Sequence, residues 1–126
     1  MEIVKAGGKT PSEQRTATFT GLVYADPVLS ADGTTVASVC FSPASRTYWH
    51  SHERGQLLLV IAGRGLICSA GEELQVITAG DVIWVPPGER HWHGGGPETV
   101  LLHLGVSLGT TNWGEPVSDT ECRAVA

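Results

Sequence analysis

Two histidines at alternate positions, His50 and His52, with an amide at Gln56, limit what this chain can fold into more than any other feature. On a strand, side chains at i and i+2 share a face, so both imidazoles look to one side of a sheet, and Gln56 returns to that side after the small kink that Gly55 permits. Well downstream stands the other dense patch, His91-Trp92-His93, introduced by Pro86-Pro87-Gly88-Glu89-Arg90 and followed by three glycines. Four of the five histidines sit in these two patches. The expectation is that they converge on one bound metal ion.

A divalent metal needs donors within about 2 Å of one point, drawn from at least two chain segments if the site is to be rigid. Here His50 and His52 come from one strand, and His91 arrives from another behind the stiff Pro86-Pro87-Gly88 turn. Three imidazoles and one amide oxygen leave coordination positions open to water or substrate, which is the arrangement of a catalytic centre and not of a structural one. Nitrogen and oxygen donors suit first-row metals from manganese to zinc alike.

The chain around these patches is built for short strands. Sixteen glycines and seven prolines supply frequent turns, and no segment keeps a helical period. We expect an all-β barrel or sandwich of about eight strands, one domain over residues 1–126. Residues 1–17 form an N-terminal arm, in which Glu2-Ile3-Val4 is an edge or exchanged strand, and residues 109–126 form a C-terminal tail. The strand over Thr18–Tyr24 is closed by Asp26-Pro27. An Asp32-Gly33 turn precedes Thr35–Phe41, in which Ala37, Val39 and Phe41 share a face. Gln56–Ala62 reads as a strand buried on both faces and turned back by Gly63-Arg64-Gly65, and Thr99–Val106 as the last strong strand. Ser118-Asp119-Thr120-Glu121 has the pattern of a helix cap. The four tryptophans are read as barrel packing or subunit contacts.

Charge and cysteine usage narrow the partners. A net charge of -5 without a lysine or arginine cluster argues against nucleic acid and for a small, neutral substrate. No apolar run approaches the roughly 20 residues of a membrane span. The first residues, Met1-Glu2-Ile3-Val4-Lys5, lack the apolar core of a secretory signal. Three cysteines without C-x-x-C spacing, with Cys40 and Cys68 in apolar strand-like surroundings, read as buried free thiols in a reducing cytoplasm.

With these residues in view, the sequence resembles the cupin superfamily. His50, His52, Gln56 and Gly63 keep the later spacing of its first motif, and Gly80, Pro86, Gly88 and His91 fit every interval of its second. Two departures stand out: glutamine replaces the usual glutamate at position 56, and Ala44 or Ser45 stands where the first motif's opening glycine often lies. Ser45 to His52, Gln56, Gly80 to Gly94 and His103 further resemble the manganese-dependent hydroxynitrile lyases of bacterial cupin type. The resemblance implies a jelly-roll-like β-barrel and a metal held by His50, His52, Gln56 and His91. The metal is Mn(II) foremost, with Fe(II), Ni(II), Co(II) or Zn(II) as substitutes. It implies lyase chemistry on α-hydroxynitriles, the metal serving as Lewis acid and His93 as base; His103, which shares a strand face with Gly105 and Ser107 by alternation, is the candidate donor to the departing cyanide. Ala37, Val39, Tyr48, Leu58 and Ser107 are the expected pocket walls. A metal-dependent dioxygenase or oxidative-cleavage enzyme, or a non-catalytic small-molecule-binding cupin, is the alternative reading. The open strand edges suggest a homodimer or homotetramer.

Overall fold

The computed structural model describes residues 1–5 and 10–122. Along them run strands β1 (Glu13–Gln14), β2 (Phe19–Thr20), β3 (Val23–Ala31), β4 (Thr34–Phe41), β5 (Arg46–Thr47), β6 (His50–His52), β7 (Gln56–Ser69), β8 (Gln75–Thr78), β9 (Val82–Val85), β10 (His91–Gly95), β11 (Leu101–Leu108) and β12 (Thr111–Trp113), then one short helix, α1 (Asp119–Cys122). No described helix is long and apolar enough to cross a membrane.

Every strand pairing is antiparallel. One sheet runs β1-β3-β4-β11-β7-β9 and the other β2-β5-β10-β7-β8, with β6 bridging β10 and β12. Strand β7 belongs to both. Its first half pairs with β11 and β9, its second with β10 and β8, so one continuous strand curls the sheet into a barrel. A turn was expected at Gly63-Arg64-Gly65, but the chain bends there without reversing. Gly63 has φ 83°, and a Cβ on it would lie 1.9 Å from the Val100 carbonyl oxygen, so the bend requires glycine.

Other expectations shift in similar ways. The strand expected over Thr18–Tyr24 is two, β2 and β3, separated at Gly21. Strand β3 passes through Pro27 where a bulge between Pro27 and Leu29 absorbs the missing N–H. Asp32-Gly33 closes the β3–β4 hairpin as expected, between Ala31 and its partner Thr34. Residues 2–4 form no strand within this chain. The helix cap is present: Glu121 N–H donates to the Ser118 hydroxyl at 3.1 Å and Ser118 N–H to the Glu121 carboxylate at 3.0 Å.

Alternation fixes what the barrel buries. Val23, Phe41, Val60, Ile77 and Leu101 form the interior cluster, each such side chain adding about 1.5–3 kcal/mol on burial. Gln56–Ala62 was expected to be buried on both faces. Only Gln56, Leu58 and Val60 are; Leu57 and Leu59 are half-buried and Ile61 is exposed. The same alternation, with Val39 and Phe41 inward, turns Cys40 outward, so it is exposed and not a buried thiol, while Cys68 is half-buried.

A second cluster, Trp49, Leu66, Trp92 and Val117, lies where the C-terminal segment covers the back of β10. The buried Arg46 holds that segment: its Nε and Nη2 donate to the Val117 carbonyl at 3.1 and 2.9 Å, and Nη2 also to Asp119 at 2.8 Å. As far as Cys122, the segment read as a tail is therefore packed against the barrel.

Candidate metal centre

All five histidines converge inside the barrel, each at most 3% exposed. Register between strands distant in sequence brings them there. His91 of β10 stands opposite His50 of β6, and His103 of β11 stands opposite Val39 of β4. Ring centroids lie 4.2 Å apart for His50 and His91, 5.0 Å for His50 and His52, 5.4 Å for His50 and His93, and 4.9 Å for His93 and His103. Burial, above all, lowers every one of their pKa values: His50 to about 2 and His52 to about 4, each also depressed by His91, and His103 to about 4. His91 falls below its ordinary value and His93 well below it, the latter by burial and then by His103. The cluster is neutral at pH 7.

Hydrogen-bond partners restrict which ring nitrogens are free. The Nδ1 of His50 faces the Tyr48 carbonyl at 2.9 Å, and that of His91 the Glu89 carbonyl at 3.1 Å. A carbonyl only accepts, so both rings carry their proton on Nδ1 and present a bare Nε2. The His91 Nε2 nevertheless lies 3.1 Å from the Gln56 Oε1, which is turned toward it because the Gln56 amide donates to the Ser107 hydroxyl at 3.1 Å. Two acceptors thus face each other in a buried site. A doubly protonated His91 would satisfy both, but burial opposes it. A cation shared by the two atoms removes the conflict, since ligands about 2.1 Å from a metal and at right angles to it stand about 3.0 Å apart. The residues fit a divalent ion.

Nitrogens of His50, His91 and His93 lie within 4.8 Å of one another, so three histidines here can hold such an ion. That group includes His93 where the sequence reading has His52. His52 is a step outside it, its ring 5.7 Å from that of His91. Its Nε2 is nonetheless buried and unpartnered, while its Nδ1 meets the Thr111 hydroxyl at 3.1 Å. His93 differs from the other rings in that its Nδ1 meets the His103 Nε2 at 3.1 Å, and its own Nε2 is buried and unpartnered.

A cavity of about 580 Å³ opens beside the cluster. His50, His52, Gln56, His93 and His103 line it, together with Ala37, Val39 and Ser107 from the expected walls. Tyr48 and Leu58 are not on its lining. Leu58 is fully buried, in register with Gly105, and Tyr48 lies in the irregular stretch between β5 and β6, where its carbonyl serves His50. His91 also stands back from the lining, behind Gln56. Gln56 reaches the face of His52 because Gly55, at φ 96°, supplies the expected kink.

Three contributors were missed in the sequence. Thr111 and Trp113, placed in the tail, line the cavity through β12, in register with His52 and His50, and the Trp113 ring tilts over that of His50 at 4.7 Å. Residues Gln14 to Phe19, read as part of the arm and the following strand, cross from the edge of one sheet to the edge of the other and wall the cavity. No periodicity marks them; a tryptophan in a polar stretch was the one signal available.

Comparison with known proteins agrees with this geometry. The chain is 38% identical over 130 residues, covering 98% of this chain and 99% of the relative, to an (R)-mandelonitrile lyase of Granulicella tundricola. It superposes on the crystal structure of a cupin-like protein from Thermotoga maritima with a TM-score of 0.86 at 32% identity, covering 93% of this chain and 96% of that one. A polyketide cyclase from Streptomyces resistomycificus shares the fold alone, with a TM-score of 0.75 at 19% identity over 97% and 90% of the two chains. The cupin domain model matches residues 37–104, the span that carries all five clustered histidines and Gln56. By that match, and by its end-to-end likeness to the lyase, the chain belongs to the cupin family.

Proposed function

We propose that this protein is a metal-dependent lyase that cleaves α-hydroxynitriles to an aldehyde and hydrogen cyanide, and catalyses the reverse addition. Its ligands are His50, His52, Gln56 and His91. A divalent ion held there, Mn(II) foremost, supplies a Lewis acid beside the cavity.

The observation that carries the reading is the His93–His103 pair on the cavity wall. Among the described residues, no aspartate, glutamate, lysine, tyrosine or cysteine lines that cavity. Among those residues the general base is a histidine, and with His50 and His52 given to the metal, His93 and His103 remain. With the His93 Nδ1–H donating to the His103 Nε2, the buried His93 Nε2 has a free lone pair and the His103 Nδ1 keeps its proton. The first is a base and the second a donor.

His93 takes the substrate hydroxyl proton at Nε2 while the bond between the carbinol carbon and the nitrile carbon breaks and its electron pair leaves with cyanide. His103 accepts from the now cationic His93 ring through Nε2, holding it in place, and offers its Nδ1–H to the departing anion. His93 then returns the proton, giving hydrogen cyanide and the aldehyde. Low polarity around the pair keeps both rings neutral at the start. The end-to-end similarity to a mandelonitrile lyase supports this substrate class.

The test is cyanide release from mandelonitrile by protein stripped with chelator and reloaded in turn with Mn(II), Fe(II), Co(II) and Zn(II). Release well above buffer that depends on metal is expected. Protein that binds metal yet releases no cyanide overturns the reaction.

A further inference from the structure

We propose that Thr111 is a positioning residue that makes His52 a metal ligand by holding the proton on its Nδ1. The inference rests on the ligand set His50, His52, Gln56 and His91. His50 and His91 have their tautomers fixed by backbone carbonyls, which can only accept. His52 has instead the Thr111 hydroxyl, 3.1 Å from its Nδ1, and a hydroxyl can donate as well as accept. When Oγ1 accepts from Nδ1–H, the His52 Nε2 is bare and can bind a cation. When Oγ1 donates to Nδ1, Nε2 carries the proton and cannot. The His52 Nε2 is buried without a protein partner, as a ligand atom awaiting a cation would be.

The backbone does not depend on this contact. Thr111 stands opposite His52 in the β12–β6 ladder, Glu53 N–H donates to the Thr110 carbonyl at 2.9 Å, and Gly114 N–H donates to the Trp49 carbonyl at 2.7 Å. Valine at position 111 keeps the β-branched shape and the strand preference while removing the acceptor. Serine keeps the acceptor.

The experiment titrates Mn(II) into chelator-stripped parent, Thr111→Val, Thr111→Ser and Asn112→Ala protein by calorimetry, and records the imidazole nitrogen-15 spectra of the metal-free forms. Thr111→Val is expected to weaken binding about 10- to 100-fold, with Thr111→Ser and the exposed Asn112→Ala close to the parent. In the spectra, His52 is expected to be protonated on Nδ1 in the parent and Thr111→Ser, and mixed between the two nitrogens in Thr111→Val. Parent-like affinity in Thr111→Val, equal loss in Thr111→Ser, or a proton on Nε2 in the parent each overturns the proposal. A parent that binds no metal overturns the ligand set instead, and the metal-free spectra still decide whether Thr111 governs His52.

Discussion

Replacing His93 with glutamine removes the one unpaired base that the described residues place on the cavity wall and that is not assigned to the metal, while keeping a polar side chain of similar reach. We expect cyanide release to fall by about 10²- to 10⁴-fold, the usual worth of a positioned general base. Metal affinity, read by calorimetry on the same sample, should stay near the parent's. Equal loss of both would place His93 among the ligands, as its closeness to His50 and His91 allows. At this scale much was legible. Alternation put His50 and His52 on one face, and the Pro-Pro-Gly turn marked His91. What spacing does not carry is which nitrogen each ring presents, because that depends on carbonyls and hydroxyls brought up by the fold. Ala44 is a further case: it adopts φ 66°, the left-handed backbone that the family's glycine would favour, so the conformation persists without the glycine.

Among the elements, β7 decides the most. It must leave one sheet and enter the other at Gly63, where the Val100 carbonyl occupies the space of a side chain. Gly63→Ala is expected to destabilise the protein by about 1–3 kcal/mol or more, from the positive φ together with that clash. Denaturant unfolding monitored by tryptophan fluorescence measures it, and an unchanged midpoint would show that the bend tolerates a side chain. The hydrophobic run Gln56–Ala62 was readable as a strand, but its unbroken continuation through two glycines to Ser69 was not. A glycine pair in sequence looks like a turn, and only the pairing of both halves with different neighbours shows a bend. Strand β12 was illegible for a related reason, since three residues are too few for a period, and pairing with β6 is what makes them a strand.

For the molecule as a whole, one outer face and one buried cluster make predictions. Leu57, Leu59 and Ile61 of β7, Leu104 of β11, and Val82 and Trp84 of β9 point away from the barrel interior, with Ile61, Val82 and Trp84 exposed by 56%, 65% and 53%. An apolar patch of this kind, with the exposed Asp26 two strands from Leu104 on the same face, can pack on its own copy with little charge to desolvate, in a protein whose net charge of -5 otherwise favours separation. We expect a dimer by sedimentation velocity, converted to monomer by Trp84→Lys; a monomeric parent would refute it. The buried histidines set the acid response. Their folded pKa values lie below the ordinary 6.5, so below that pH the unfolded chain takes up protons that the folded one refuses. Stability is thus full above about pH 6.5. It falls as pH drops, by about 1.4 kcal/mol per pH unit for each such ring, until about 4 for His103 and about 2 for His50. Metal-free protein unfolded by denaturant across pH 7.5 to 4 checks the sign.

The sequence by itself determined the fold class, the residues available to a metal, and the bend and turn positions marked by glycine and proline, because alternation and backbone stereochemistry are local. Only the tertiary structure decided that His93 pairs with His103, that Ser107 aims the Gln56 amide, and that Thr111 and Trp113 back the first two histidines. Those relations join strands distant in sequence. Hydrogen bonds between them depend on register across the sheet, which no local pattern in the chain encodes.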